Sequence, residues 1–162
     1  MADQRLGPSR FGLLVRNDVV PGGPMAGMAS IPEPYHDLFD KRTFAHLSTV
    51  TPDGTPHPTP VWIDYDAGTD RLLVNTARGR RKERNVRRNP AVGVSMCDPE
   101  DPYRFVSVLG EVTSVTEEGA VDHIDALATR YMGVDEYPNH GEETGPRVIV
   151  EIRPDRVLTG GG

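Results

Sequence analysis

Residues 72–89 read LLVNTARGRRKERNVRRN and carry the strongest chemical signal in the chain. Between positions 78 and 88 there are seven basic residues, Arg78, Arg80, Arg81, Lys82, Arg84, Arg87 and Arg88, against one acid, Glu83. That is a local net charge of +6 in a chain whose formal total is −6, so the remaining residues sum to −12. Clustering of this kind is costly unless solvent or an anion answers it. Leu72, Leu73 and Val74 have extended character, Asn75 and Thr76 can turn or cap, and residues 80–88 are good helix formers up to an Asn-Pro stop. Strand, polar turn and short helix follow one another. Main-chain N–H groups at such a turn, and the positive end of the helix dipole, favour a phosphate, and Arg80 and Lys82 can clamp it from the side. The alternative is a solvated basic helix face, where most charge runs end up.

A clamp needs elements to hold it, and the flanking sequence supplies them. Residues 44–50 alternate as a strand, TPDGT at 51–55 is a turn built on its Asp-Gly pair, and residues 58–65 form the returning strand of a hairpin. A turn at 66–70 leads to a third strand at 71–76, and a fourth at 91–97 follows the basic helix. Residues 104–115 are the longest strand, with Gly110 as its bulge or bend. Pro32-Glu33-Pro34 sets up a short helix at 35–41. Val121, Ile124, Leu127, Ala128 and Tyr131 recur at helical spacing over 117–132, and Gly133 ends that helix. A last strand covers 147–152 and stops at Pro154. The order predicts a mainly β fold with flanking helices: a six-stranded antiparallel barrel with helices at its ends.

Composition fits that fold. At 162 residues the chain suits one domain. Hydrophobic content of 36%, 17 glycines, 15 prolines and a mean hydropathy of −0.46 describe a turn-rich chain with a modest core, better matched to a barrel than to a helical bundle. Residues 1–30 differ, with PGGP at 21–24, MAGM at 25–28 and one apolar patch at 11–15. They read as an N-terminal extension on a domain of residues 31–162. The extension either packs through Phe11, Leu13 and Leu14 or precedes a natural start at Met25 or Met28. Cys97 is the single cysteine, no apolar run is long enough for a bilayer, and the amino terminus lacks a signal-type apolar segment. The expected compartment is the cytoplasm, with no membrane partner. His36, His46, His57, His123 and His140 show no ligand spacing, so no metal is expected. Nucleic acid is disfavoured because the acidic remainder repels phosphates.

Four segments in this order resemble a known family. They are LSTVTPDGTPHPTPVWIDYD, VNTARGRRKERNVRRNPAVGVSM, YRFVSVLGEV, and DHIDALATRYMGVDEYP with VIVEIRPDRV after it. Over residues 34–158 the chain resembles the split β-barrel flavin- and deazaflavin-binding proteins of the pyridoxamine 5'-phosphate oxidase-like superfamily, with their FMN-binding-protein-like fold. Within these it is most similar to the small coenzyme F420-dependent oxidoreductases of actinobacteria and archaea. The resemblance implies that Arg80 and Lys82 hold the cofactor phosphate with the strand-end residues Asn75, Thr76 and Ala77 beside it. It implies that Thr59, Pro60, Val61 and Trp62 run beneath the ring system, and that the site lies between the subunits of a homodimer.

The implied activity is hydride transfer from reduced F420 to an electron-poor organic substrate. The cofactor supplies the hard chemistry, so no catalytic triad is expected, none is visible, and no catalytic residue is assigned. Arg78, Arg81 and Arg84 are surplus cations suited to a polyglutamate tail, which favours F420 over FMN. Two alternatives remain: an FMN-dependent oxidoreductase of the same fold, and a protein that holds F420, a flavin or a tetrapyrrole without turnover. Pyridoxamine phosphate oxidation itself is not expected, because the chain stops at LTGGG without a substrate-binding tail. His57 and Trp62 are further pocket candidates, although the turn-rich setting of His57 favours an exposed or structural residue and Trp62 reads at least as well as a core anchor on a hairpin strand. Tyr103, Arg104 and Phe105 are candidates to reach across a dimer, and residues 139–145 are a candidate lid or an ordinary loop.

Overall fold

In the computed structural model, which describes residues 18–20 and 28–161, the strands form one antiparallel sheet with short helices packed on it. In chain order the elements are β1 (Asp18–Val20), a 3₁₀ turn at Glu33–Tyr35, α1 (Asp37–Asp40), β2 (Ala45–Val50), β3 (Pro56–Val61) and β4 (Asp64–Asp66). There follow β5 (Arg71–Ala77), α2 (Arg81–Arg88), β6 (Ala91–Cys97), β7 (Phe105–Thr116), α3 (Ala120–Met132) and β8 (Arg147–Gly160).

Sheet order explains the architecture. The path runs β3-β2-β6-β7-β8-β5-β4, so β3 and β4 are its two ends, yet only Trp62 and Ile63 separate them in sequence. Six inter-strand steps of about 4.8 Å would place the ends of a flat sheet about 29 Å apart, far beyond the reach of a two-residue link at about 3.5 Å per residue. The sheet therefore curls until its ends meet along one seam. This is the mainly β, split-barrel fold read from the sequence.

All six expected strands are present, and the described residues add three features. The expected strand at 58–65 is divided into β3 and β4 because Val61 pairs with Ala45 whereas Asp64 pairs with Leu73 on the far side of the seam. The last strand does not end at Pro154. It runs on to Gly160, because Pro154 sits at a register shift opposite Gly110 where the ladder does not need its missing N–H. Gly110 is required there, since a Cβ would lie 2.5 Å from the carbonyl oxygen of Arg153. The C-terminal part of β8 also pairs with β1, joining Asp18 to Thr159 and Val20 to Val157. The expected packing of Phe11, Leu13 and Leu14, and Met25 as a start, lie outside the described residues.

The barrel interior is filled by alternating strand residues, among them Leu47, Ile63, Leu72, Val74, Met96, Val106, Val108, Val150 and Ile152, closed at one end by Leu38 and Phe39 of α1. A second cluster lies under α3, where Ile124, Leu127 and Tyr131 pack against Trp62 and Tyr137. Its helix is anchored to the seam. The Tyr131 hydroxyl accepts from the Ile63 N–H at 3.3 Å and donates to the Thr43 carbonyl at 2.7 Å. Arg130 donates to the Ile63 carbonyl at 3.2 Å and to Asp64 at 3.1 Å.

Candidate functional site

A cavity of about 360 Å³ opens at this seam. Pro60, Val61 and Trp62 come to it from the end of β3, Asn75 from β5, and Arg80 and Lys82 from the entry to α2. The structure thus gathers six of the nine residues singled out in the sequence. Thr76 and Ala77 do not line it, being 1% and 0% exposed. Thr59 is half-buried beside Leu47 of β2 and does not line the cavity.

The start of α2 is built by its one acid. Glu83 is 1% exposed, accepts the Gly79 N–H at 3.1 Å, and pairs with Arg78 at 3.3 Å and Arg87 at 3.6 Å. The Gly79 N–H is therefore used internally, as the acid in a helix's first turn often uses it. Arg78 is taken up by Glu117 at 2.8 Å as well, which removes it from the surplus available to a ligand.

The anion-binding capacity of the cavity comes from side chains. Arg80 donates to Glu143 Oε2 at 2.6 Å, and Arg147 donates to Glu143 Oε1 at 2.6 Å. Lys82 is half-buried and has no ion-pair partner among the described residues. Burial, then the neighbouring Arg80 and Arg147 charges, push its pKa below the ordinary 10.5, and Glu143 only partly restores it. Three cations are thus answered by one carboxylate. The site holds an excess of about two positive charges where solvent is partly excluded, which suits a phosphate.

Arg147 and Glu143 were not picked out from the sequence. Arg147 opens β8 opposite Ala77, and its Nε donates to Asn75 Oδ1 at 2.8 Å. The Asn75 amide is fixed from behind as well, donating to the Ala120 carbonyl at 2.7 Å and lying 3.2 Å from His123 Nδ1. His123 Nε2 in turn lies 3.6 Å from Asp64. Burial opposes ionisation of Asp64, but His123 and Arg130 outweigh it and hold that carboxyl below its usual range. Glu143 belongs to the loop at 139–145, and the signal for it in the sequence is only that this loop is polar.

The other wall is apolar. Trp62 stacks on Tyr131 with ring centroids 5.1 Å apart and planes at 11°, and Tyr137 meets Trp62 edge-on at 6.1 Å. Trp62 is therefore both a packed anchor and a cavity residue. Phe44 and Met132 stand at the cavity with 53% and 47% of their surface exposed. A cationic end beside an aromatic and aliphatic wall fits a ligand with a phosphate and a flat, largely apolar ring.

Arg81, Arg84 and Arg88 lie on another face of α2. They line a groove of about 520 Å³ against the β2–β3 turn, with His57 in its wall. Arg104 is held by Asp37 and Asp98, and Tyr103 is 73% exposed.

Three comparisons bear on this architecture. The pyridoxamine 5'-phosphate oxidase family model matches residues 31–159. A solved structure described as an F420 reductase is 34% identical, with 78% of this chain and 98% of that chain covered and a TM-score of 0.68. A conserved hypothetical protein from Mycobacterium tuberculosis is 24% identical over 83% of this chain and 87% of its own, with a TM-score of 0.62. A pyridoxamine 5'-phosphate oxidase-related, FMN binding protein from Nostoc punctiforme shares the fold at 14% identity, covering 72% of each chain with a TM-score of 0.53. No curated protein sequence matches the chain. The split barrel, the seam cavity with its cations and the matched span lead to one assignment: this chain belongs to the pyridoxamine 5'-phosphate oxidase family.

Proposed function

We propose that this protein is an F420-dependent oxidoreductase that transfers a hydride from reduced F420 to an electron-poor organic substrate, acting as a cytoplasmic homodimer. The observation that carries the reading is the trio Arg80, Lys82 and Arg147, answered by Glu143 alone and set beside the Trp62 wall. The 34% identity to an F420 reductase supports F420 as the cofactor. Bound F420 supplies the hydride chemistry. The chain's own residues do the rest. Arg80, Lys82 and Arg147 hold the phosphate, Asn75 keeps the Arg147 guanidinium in place, and Trp62, Val61 and Pro60 shelter the ring from water. Phe44 and Met132, exposed at the cavity, are the surface that a second copy covers.

An FMN-dependent enzyme of the same fold is the second reading, favoured by the likeness to an FMN binding protein. A third, binding without turnover, draws on the cavity, where among the described residues the lining offers no histidine and the one carboxylate beside it, Glu143, is already engaged by Arg80 and Arg147. Fluorescence titration with oxidised F420 and with FMN, at low and high salt, separates the first two, and turnover with reduced F420 separates the third. The double substitution Arg80→Ala, Lys82→Ala is expected to weaken cofactor binding at least about a hundredfold, since each removes a charge-assisted contact. Unchanged affinity would place the cofactor elsewhere.

A further inference from the structure

Glu143 sits where a ligand's own anion is needed. Its carboxylate bridges Arg80 and Arg147, each at 2.6 Å, and accepts from the Tyr137 hydroxyl at 3.3 Å. Its side chain is only 7% exposed. The loop that carries it is pinned on both sides. The Tyr137 N–H donates to Asp125 at 2.8 Å, and His140 Nε2 lies 2.7 Å from the same carboxylate. The Thr144 hydroxyl donates to the Arg78 carbonyl at 2.7 Å, and the Arg78 N–H donates to the Pro146 carbonyl at 2.9 Å. Gly145 packs so closely that a Cβ would lie 3.0 Å from the Arg78 carbonyl oxygen. Swinging Glu143 out breaks several of these contacts, so its charge stays beside whatever binds.

We infer that Glu143 is a charge filter: it biases the site against a dianionic phosphomonoester and toward a monoanionic phosphodiester. This rests on the cofactor reading above and deepens it, because the phosphate of F420 is a diester and that of FMN a monoester. The repulsion from one fixed carboxylate scales with ligand charge. In free energy Glu143 costs the dianion about twice what it costs the monoanion, so in affinity the penalty is squared. A monoester is nearly fully dianionic at pH 8, its second pKa being about 6. Arg80, Lys82 and Arg147 attract both classes, and the carboxylate decides how much of that attraction the second charge retains.

The test compares riboflavin 5'-phosphate with its methyl phosphodiester, two ligands with one ring and one charge of difference, alongside F420. Each is titrated at pH 8 into wild type, Glu143→Gln, Glu143→Asp and Glu142→Gln, with thermal melts to establish that each variant is folded. Glu142 is the exposed neighbour, so Glu142→Gln controls for charge removal alone. In Glu143→Gln the diester should gain about five- to tenfold in affinity and the monoester about the square of that factor. Glu143→Asp and Glu142→Gln should leave the monoester-to-diester ratio within about twofold of wild type. Equal gains for the two ligands, or a loss for both, overturn the filter: the loop then opens on binding, or Glu143 serves only to orient the arginines. If F420 binds and neither flavin binds wild type, Glu143→Gln must acquire the monoester, and failure to do so also overturns it. Should Glu143→Gln not fold, a Glu143→Ala variant carries the same comparison. F420 binding with an unchanged ratio defeats this inference and leaves the cofactor reading intact, whereas no binding of any ligand to any protein defeats both.

Discussion

Lys82 owes its lowered pKa to burial and to two neighbouring guanidiniums, and that makes its charge the titratable part of the clamp. The ammonium is what an anion needs, so affinity is full at neutral pH. It should fall as pH rises through the depressed pKa, earlier than a lysine at the ordinary 10.5 would allow. Fluorescence titrations of F420 across that range should show the decline in wild type and lose it in Lys82→Arg, because a guanidinium keeps its charge. A second group acts on stability. The Glu100 N–H, then Arg104 and Lys41, hold Asp98 at about 2, against burial, compared with the ordinary 3.8. Its folded pKa is depressed, so its contribution is complete above 3.8 and is lost as pH falls toward about 2. In urea unfolding, Asp98→Asn should be less stable than wild type at pH 6 and should lose less stability than wild type on acidification.

The seam is held by an element far from it in sequence, the C-terminal half of α3. Tyr131 reaches across both sides of the seam through Ile63 and Thr43. Tyr131→Phe keeps the ring that stacks on Trp62 but leaves a buried N–H and a buried carbonyl without that partner. The expected loss is about 1–3 kcal/mol in denaturant unfolding followed by the fluorescence of Trp62, the only tryptophan. The β3 edge of the sheet, on one side of that seam, is protected by its prolines. Pro56, Pro58 and Pro60 pair with Val50, Ser48 and His46, and since proline has no N–H these must be the pairs without ladder hydrogen bonds. His57, Thr59 and Val61 make the ladder, and the outer edge offers no donor at the three prolines. A further strand cannot add there in the ordinary way. That is the physical role of the prolines in the TPHPTP segment, which bridges the expected turn at 51–55 and the returning strand expected from residue 58.

At the level of the whole chain, the boundary expected at residue 30 crosses a packed strip. Ala29 is 8% exposed with its N–H on the Pro154 carbonyl at 2.9 Å, and Ile31 is 2% exposed. β1 lies alongside the end of β8, continuing the side of that strand that β5 occupies earlier. We expect a chain lacking residues 1–30 to keep the barrel and unfold cooperatively, with a loss of about 1–3 kcal/mol from the missing hydrogen bonds and apolar burial. A chain beginning at residue 28 should lose less. Calorimetry of the two truncations against the full chain measures both. Loss of a cooperative transition in the shorter one would mean that the extension belongs to the domain. Among the described residues no helix is long and apolar enough to cross a membrane.

Local periodicity and turn chemistry were sufficient for the Asp-Gly hairpin, the basic helix stopped by Asn89-Pro90, the α3 stripe ended by Gly133 and the bulge at Gly110. These are decided within a few residues by side-chain alternation and backbone freedom. Arg80 and Lys82 could be read from the sequence because charge density in an acidic chain is itself a local quantity. Arg147 and Glu143 could not. Glu143 lies 63 positions from Arg80, and Arg147 lies 72 from Asn75, so neither contact has a signature in spacing. The contacts exist because β8 pairs with β5 and the two-residue link at Trp62 and Ile63 forces the sheet to curl. That closure brings the loop before β8 against the entry to α2. The continuation of β8 through Pro154 has the same origin, since a proline is tolerated only where its partner strand leaves a gap in the ladder. Sequence set which residues carry charge and which segments are extended. The pairing of distant strands set which charges meet, and with them the sign and size of the field a ligand would feel.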